Sequence, residues 1–271
     1  MDQIEKSYKR HEADFDINLT EPREIAKAKR WFDKTTADYW RHARGYRIIE
    51  PLNRDTSWLT VGDGRWGLDS LRIRDKGFTN VLPTDLASSL LQKSKECGYI
   101  DDYLVQNAEK MTLPDESYDY VFCKEAFHHF PRPYLALYEM LRVARRGVVL
   151  TEPNDRSDSV VVEYESVGNY TFLLNIREMT KIALAMYLPA ICYGGYNDFY
   201  IEGCEFEPAD EGKSAIFRKI KQIIEEQDKL VREGKLDYGM VSMILFKTLP
   251  SEAEIAGFRE IGCNYVELPQ R

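Results

Sequence analysis

The stretch SWLTVGDGRWGLDS, residues 57–70, decides how this chain reads. Trp58, Leu59 and Val61 make a short apolar run of strand type, and Gly62, Gly64 and Gly67 follow at once as G-x-G-x-x-G. A helix is expected from about 66 to 76, with Gly77 as its C-cap. Strand, glycine-rich turn and helix in this order seat a nucleotide-like ligand at the helix N-terminus. No Gly-Lys-Ser/Thr follows the glycines, so a P-loop fits poorly. The next strand, FTNVLPTDL, ends at Asp85, followed by Leu86, where an acidic side chain accepts hydrogen bonds from ribose hydroxyls. NAD and S-adenosylmethionine carry the same ribose, so these features leave both open.

Outward from this turn, strands and helices alternate. LASSLLQKSKECG reads as a helix stopped by Gly98, DYLVQNAEK as a short strand, and Tyr118 to Cys123 as a fourth strand. PYLALYEMLRVAR gives a helix with one apolar side and GVVLTEP a fifth strand. The continuous apolar strands belong to a sheet covered on both faces, which predicts an α/β, Rossmann-like doubly wound fold of seven strands. Beyond Pro153, Asn175 and Glu178 look like a capping box, AICYGG a sixth strand and YGMVSMILFKT a seventh. A charged helix at 213–234 is expected to cover one side of the sheet over Ile216, Ile220, Ile223 and Leu230. The division expected is a helical arm over 1–52, a main domain over 53–250 with an insertion near 203–236, and a C-terminal helix and tail over 251–271. The first 20 residues read as a polar, aperiodic, loosely held arm.

Composition narrows the function. Over 271 residues the formal net charge is −8, which argues against a general nucleic-acid binder. No apolar run approaches the roughly 20 residues that span a bilayer, and the N-terminus lacks a signal-peptide core. Five scattered cysteines without a CxxC pair read as reduced thiols, pointing to the cytoplasm and to no metal site.

The stretch from 107 to 153, NAEKMTLPDESYDYVFCKEAFHHFPRPYLALYEMLRVARRGVVLTEP, separates the two cofactors. Asn107, Ala108, Glu109, Leu113, Pro114, Asp115, Ser117, Asp119, His129, Glu139, Arg142 and Val143 fall where the class I methyltransferases of the type-11 group carry their motif residues. The chain resembles that family from about 57 to 153. The helix over 25–46, with Phe32, Asp33 and Tyr39, is similar to the leading helix that folds over the cofactor there. The first loop departs from the family's D-x-G-x-G-x-G: Thr60 stands at the acidic position, Asp63 sits between two glycines, and Trp66 replaces a small residue.

The resemblance implies S-adenosyl-L-methionine as cofactor, held by Gly62, Asp63, Gly64, Gly67, Asp85, Leu86, Asn107, Ala108, Glu109, Cys123, Lys124 and Tyr39. Asp85 could instead be a helix N-cap and Asn107 an Asx turn. For a hydroxyl acceptor the candidate bases are His128, His129, Glu125 and Asp155, with His129 the more structural of the two histidines and His128 freer to face the acceptor. Glu152 and Asn154 point toward the same pocket, and Tyr170, Asn197, Asp198 and Tyr200 lie where the family shapes its acceptor site. The acceptor expected is a small molecule, with a sugar or polysaccharide unit as first choice on the resemblance alone. A non-catalytic methyltransferase-like regulatory subunit and an NAD-dependent oxidoreductase are the alternatives. The sequence does not choose between O-, N- and C-methylation or fix an oligomeric state.

Overall fold

The structure, a computed structural model, describes residues 3–155 and 174–270. Tyr170 therefore lies outside the described residues. Three helices lead the chain: α1 (Gln3–Thr20), α2 (Pro22–Trp31) and α3 (Ala37–Ala43), followed by a 3-10 turn over Arg44–Ile49. The alternating core then runs β1 (Ser57–Val61), α4 (Leu68–Asp75), β2 (Asn80–Asp85), α5 (Ser89–Glu96) and β3 (Leu104–Val105). It continues through β4 (Tyr118–Lys124), α6 (Pro133–Val143), β5 (Ala144–Pro153) and α7 (Ile176–Ala185). The last part comprises β6 (Ala190–Tyr196), α8 (Ala215–Arg232), β7 (Met240–Phe246), α9 (Glu252–Glu260) and β8 (Asn264–Glu267).

One sheet holds all eight described strands in the order β3-β2-β1-β4-β5-β7-β6-β8. The first five are parallel, β7 runs antiparallel between β5 and β6, and β8 pairs antiparallel with β6. Alternate residues of each strand feed two cores. Leu59, Val121, Cys123, Val148, Leu150 and Met243 face Leu137 and Met140 of α6 and Met179 of α7. Trp58, Tyr120, Phe122, Val149 and Ile244 face Tyr46, Ile73 and Phe258. Burial on both sides explains the unbroken apolar runs.

Local signals behave as the physics requires. Gly77 ends α4 at φ +93° and its N–H donates to the Arg74 carbonyl at 2.9 Å. Asn175 caps α7 by accepting from the Glu178 N–H at 3.2 Å, but Glu178 turns to Lys181 at 2.7 Å, so only half of a capping box forms.

Three expectations are corrected. The N-terminal arm is an 18-residue helix docked on the domain, and an eighth strand, β8, follows the last helix. The charged helix α8 packs on α3 and the chain near Phe199 through Phe217, Ile220 and Ile224, rather than on the sheet. These three lie at i, i+3 and i+7, one helical face, and this leaves Ile223 half-buried and Leu230 exposed. No described helix is long and apolar enough to cross a membrane.

Candidate active site

At the carboxyl edge of the sheet the glycine turn joins β1 to α4. Gly62 and Gly67 adopt φ of +76° and +69°, and Trp66 between them shares the left-handed conformation at +65°. A Cβ on Gly62 would stand 2.3 Å from that of Ala126, so the turn and the chain after β4 meet with room only for glycine. Asp63 faces inward. Its carboxylate accepts from the Thr60 hydroxyl at 2.7 Å and from the N–H groups of Asp69 and Ser70, both at 2.9 Å. It therefore caps α4, and Thr60 at the family's acidic position serves as its donor.

Asp85 ends β2 with 2% exposure. One oxygen accepts from the Gly64 N–H at 2.9 Å, and the other from the Ala87 N–H at 2.7 Å and the His11 ring at 2.8 Å. The Asn107 side chain accepts from the Glu109 N–H at 2.9 Å, an Asx turn that leaves its NH₂ group for other partners. Ala108 is buried beside it, and Leu86 beyond Asp85 is half-buried. Glu109 is 3% exposed and acts as a clasp, taking the Tyr8 hydroxyl at 2.8 Å and the Arg132 N–H and Nε at 2.7 and 2.6 Å.

Residues of the 107–153 stretch hold this edge in place. Glu139 and Arg142 of α6 pair at 2.9 Å; Glu139 accepts from the Met111 N–H, and Arg142 donates to the carbonyls of Met111 and Leu113 and to Asp115. Asp119 ties β4 to β1 through the N–H and hydroxyl of Ser57.

A second polar group lies between α3 and the ends of β4 and β6. Lys124 is 5% exposed and donates to Glu125 at 2.5 Å, with His42 Nδ1 3.4 Å away. Arg41 pairs with Asp38 at 3.1 Å and with Asp198, and its guanidinium lies 5.3 Å from the centre of the Tyr200 ring. Burial raises Glu125, but Lys124 and then Arg41 and Arg65 overcome it and hold the carboxyl at about 2. His42 is pushed well below its ordinary value by burial, and next by Lys124 and Arg41, so its imidazole is neutral. Glu125 also carries a left-handed φ of +49°. Among the described residues, Asp198 Oδ1, Arg41 Nε and Trp66 Nε1 are buried without hydrogen-bond partners.

The expected site residues thus divide. Cys123 faces the apolar core, and burial raises its thiol well above the usual range. Tyr39 reaches α4 instead, donating to Asp75 at 2.8 Å. Asn197 clips the chain by donating to Asp228 at 2.8 Å and accepting from the Gly239 N–H at 3.0 Å. The Tyr200 hydroxyl donates to Glu205, and Asp155 is exposed and accepts from Asn175.

The burial of the two histidines is the reverse of that expected: His128 is 1% exposed and His129 is exposed. His128 Nδ1 lies 2.5 Å from Glu152, which also accepts the N–H groups of Ala126 and Phe127. A 3-10 turn over Phe127–His129 rotates successive side chains by a third of a turn, which a strand-based reading misses. Sequence reasoning also passed over His42 and Arg41; their signal was a charged pair on the short helix ADYWRHA. Asn154 bonds back to the Tyr238 carbonyl at 2.9 Å. Among the described residues no group of three or more His, Cys, Asp or Glu could hold a metal ion.

Comparison with known proteins gives this edge a context. Residues 59–151 match the family profile described as "Methyltransferase domain". A 2-methyl-6-phytyl-1,4-hydroquinone methyltransferase of Synechocystis is 30% identical over 118 residues, 42% of this chain and 37% of that enzyme. The chain thus matches just over a third of the length of that relative. The YcgJ protein of Bacillus subtilis superposes with a TM-score of 0.53 at 18% identity, covering 77% of this chain and 99% of that one. A SAM-dependent methyltransferase from Archaeoglobus fulgidus gives 0.53 at 18%, covering 78% and 95%.

Proposed function

From the premise that residues 59–151 are a methyltransferase domain of the class I, type-11 kind, we propose that the protein transfers a methyl group from S-adenosylmethionine to a small-molecule acceptor. The observation that carries the reading is the juxtaposition, on one sheet edge, of the Gly62–Gly67 turn and the buried Asp85, joined through the Gly64 N–H. That set suits the cofactor: Asp85 would take the ribose, Asn107 and Ala108 the adenine edge, and the N–H groups of the turn the methionine carboxylate. When bound, the cofactor supplies an electrophilic methyl on sulfur, displaced in line, so positioning of the acceptor supplies much of the rate.

The acceptor would lie against Lys124, Glu125, His42 and Arg41, beside the glycine turn whose Arg65 helps set the charge of His42 and Glu125. Asp198 Oδ1 and Arg41 Nε offer an unpaired acceptor and donor there, which suits a molecule bearing several hydroxyls, and a saccharide hydroxyl is the first choice. His42 and Glu125 are both held below their ordinary values, which makes both weak bases, so positioning of the acceptor would carry the rate and the hydroxyl proton would leave to solvent. A hydroquinone-type phenol is the second choice, favoured by the Synechocystis relative. The described cysteines are all free thiols, which suits work in the reducing cytoplasm.

Titration calorimetry tests the reading. S-adenosylhomocysteine is expected to bind at about micromolar strength, near −8 kcal/mol, with no heat from NAD or NADP. Tight NAD binding would overturn it in favour of an oxidoreductase. Binding of the homocysteine compound without turnover across a screen of sugars and phenols would favour a regulatory subunit.

A further inference from the structure

The first helix belongs to the cofactor site. Two side chains of α1 reach this edge: His11 meets Asp85, assigned above to the ribose, at 2.8 Å, and Tyr8 meets Glu109, next in sequence to the adenine-edge residues Asn107 and Ala108, at 2.8 Å. Leu19, at the end of the same helix, packs against the Ala87–Leu90 cluster, as Trp66 does.

An ionised carboxylate has about four lone-pair positions. At Asp85 three are taken, by the N–H groups of Gly64 and Ala87 and by His11. Two ribose hydroxyls need two positions, so one present partner must leave. The N–H groups of Gly64 and Ala87 are fixed in the backbone, one in the glycine turn and one just before α5. His11 is the movable partner: its side chain is 35% exposed, against 1% for that of Asp85, and it stands on a separate helix.

We propose that His11 holds the place of a ribose hydroxyl on Asp85, making α1 a gate that adenosine must displace. The proposal rests on the methyl-transfer reading, since it takes Asp85 as the ribose ligand. Closing the gate leaves only a fraction of the protein competent to bind, and apparent affinity falls by that fraction. Tyr8 on Glu109 is the second tie, and its loss should act in the same direction.

The test is titration of the full-length wild type, His11→Ala, His11→Gln and Tyr8→Phe with S-adenosylhomocysteine. His11→Ala is expected to bind about 3- to 10-fold more tightly than wild type. His11→Gln, whose amide N–H can reoccupy Asp85, should return to within about twofold of wild type. Tyr8→Phe, which removes only one hydroxyl, should tighten binding about twofold and provides a readout should His11→Ala fail to fold. Unchanged or weaker binding by His11→Ala or, failing that variant, by Tyr8→Phe overturns the gate while leaving the cofactor reading intact. Absence of binding in all four proteins would bring down both.

Discussion

An Asp85→Ala protein will bind S-adenosylhomocysteine about 10- to 150-fold more weakly than wild type, because hydrogen bonds to a charged group are worth roughly 1.5–3 kcal/mol. The substitution removes the charged acceptor for the ribose hydroxyls. It also strands the N–H groups of Gly64 and Ala87, which now end on that carboxylate, so a lower melting temperature should accompany the loss. Calorimetry on the folded variant measures the binding part by itself. Wild-type affinity would mean that Asp85 only ties the glycine turn to the start of α5, and the ribose assignment would fall with it.

The second large effect concerns stability. Glu152 is fully buried and receives His128 and the N–H groups of Ala126 and Phe127. Burial raises its carboxyl even though His128 and the two N–H groups pull the other way. Glu152→Ala leaves the buried N–H groups of Ala126 and Phe127 and the His128 ring without their partner, and each buried polar group stranded in this way costs about 1–3 kcal/mol. Urea unfolding at neutral pH reads this directly. Glu152→Gln, which keeps one carbonyl oxygen, should lose less than the alanine variant. Equal losses in the two variants would show that cavity formation, rather than the stranded donors, sets the cost.

The alternating part of the chain was legible because parallel strands covered on both faces must be apolar throughout. The buried middles of β1, β4 and β5 follow that rule, and glycines punctuate several of the helices. What escaped was weakly patterned. The four residues of β8 are mostly exposed and carry little apolar signal, so only pairing with β6 makes them a strand. The helix α1 is polar for most of its length, and among its described contacts are those of Tyr8 and His11 with Glu109 and Asp85. At the site, Gly62, Gly67 and Asp85 were placed by a motif, but their partners were not. Whether Asp63 caps a helix or meets a ligand depends on side-chain direction, and so does the inward turn of His128. For His128, one residue of offset in the Phe127–His129 3-10 turn settles that direction without leaving a trace in hydrophobic periodicity.

The position of β7 between β5 and β6 governs the order in which the chain can mature during synthesis. Strands β1 to β5 emerge as a unit able to pair at once. The outer edge of β5, from Gly147 to Pro153, then waits for partners that span Met240 to Phe246, roughly ninety residues later. At 5–20 residues per second this interval is on the order of 5–20 s, during which an apolar strand edge is open to other chains. β6 shares the wait, since its partners β7 and β8 are both made after it. A nascent chain stalled, or a gene cut, just before Met240 should therefore yield aggregate rather than a smaller folded domain, and its fate should depend on holding chaperones as the full-length product's does not.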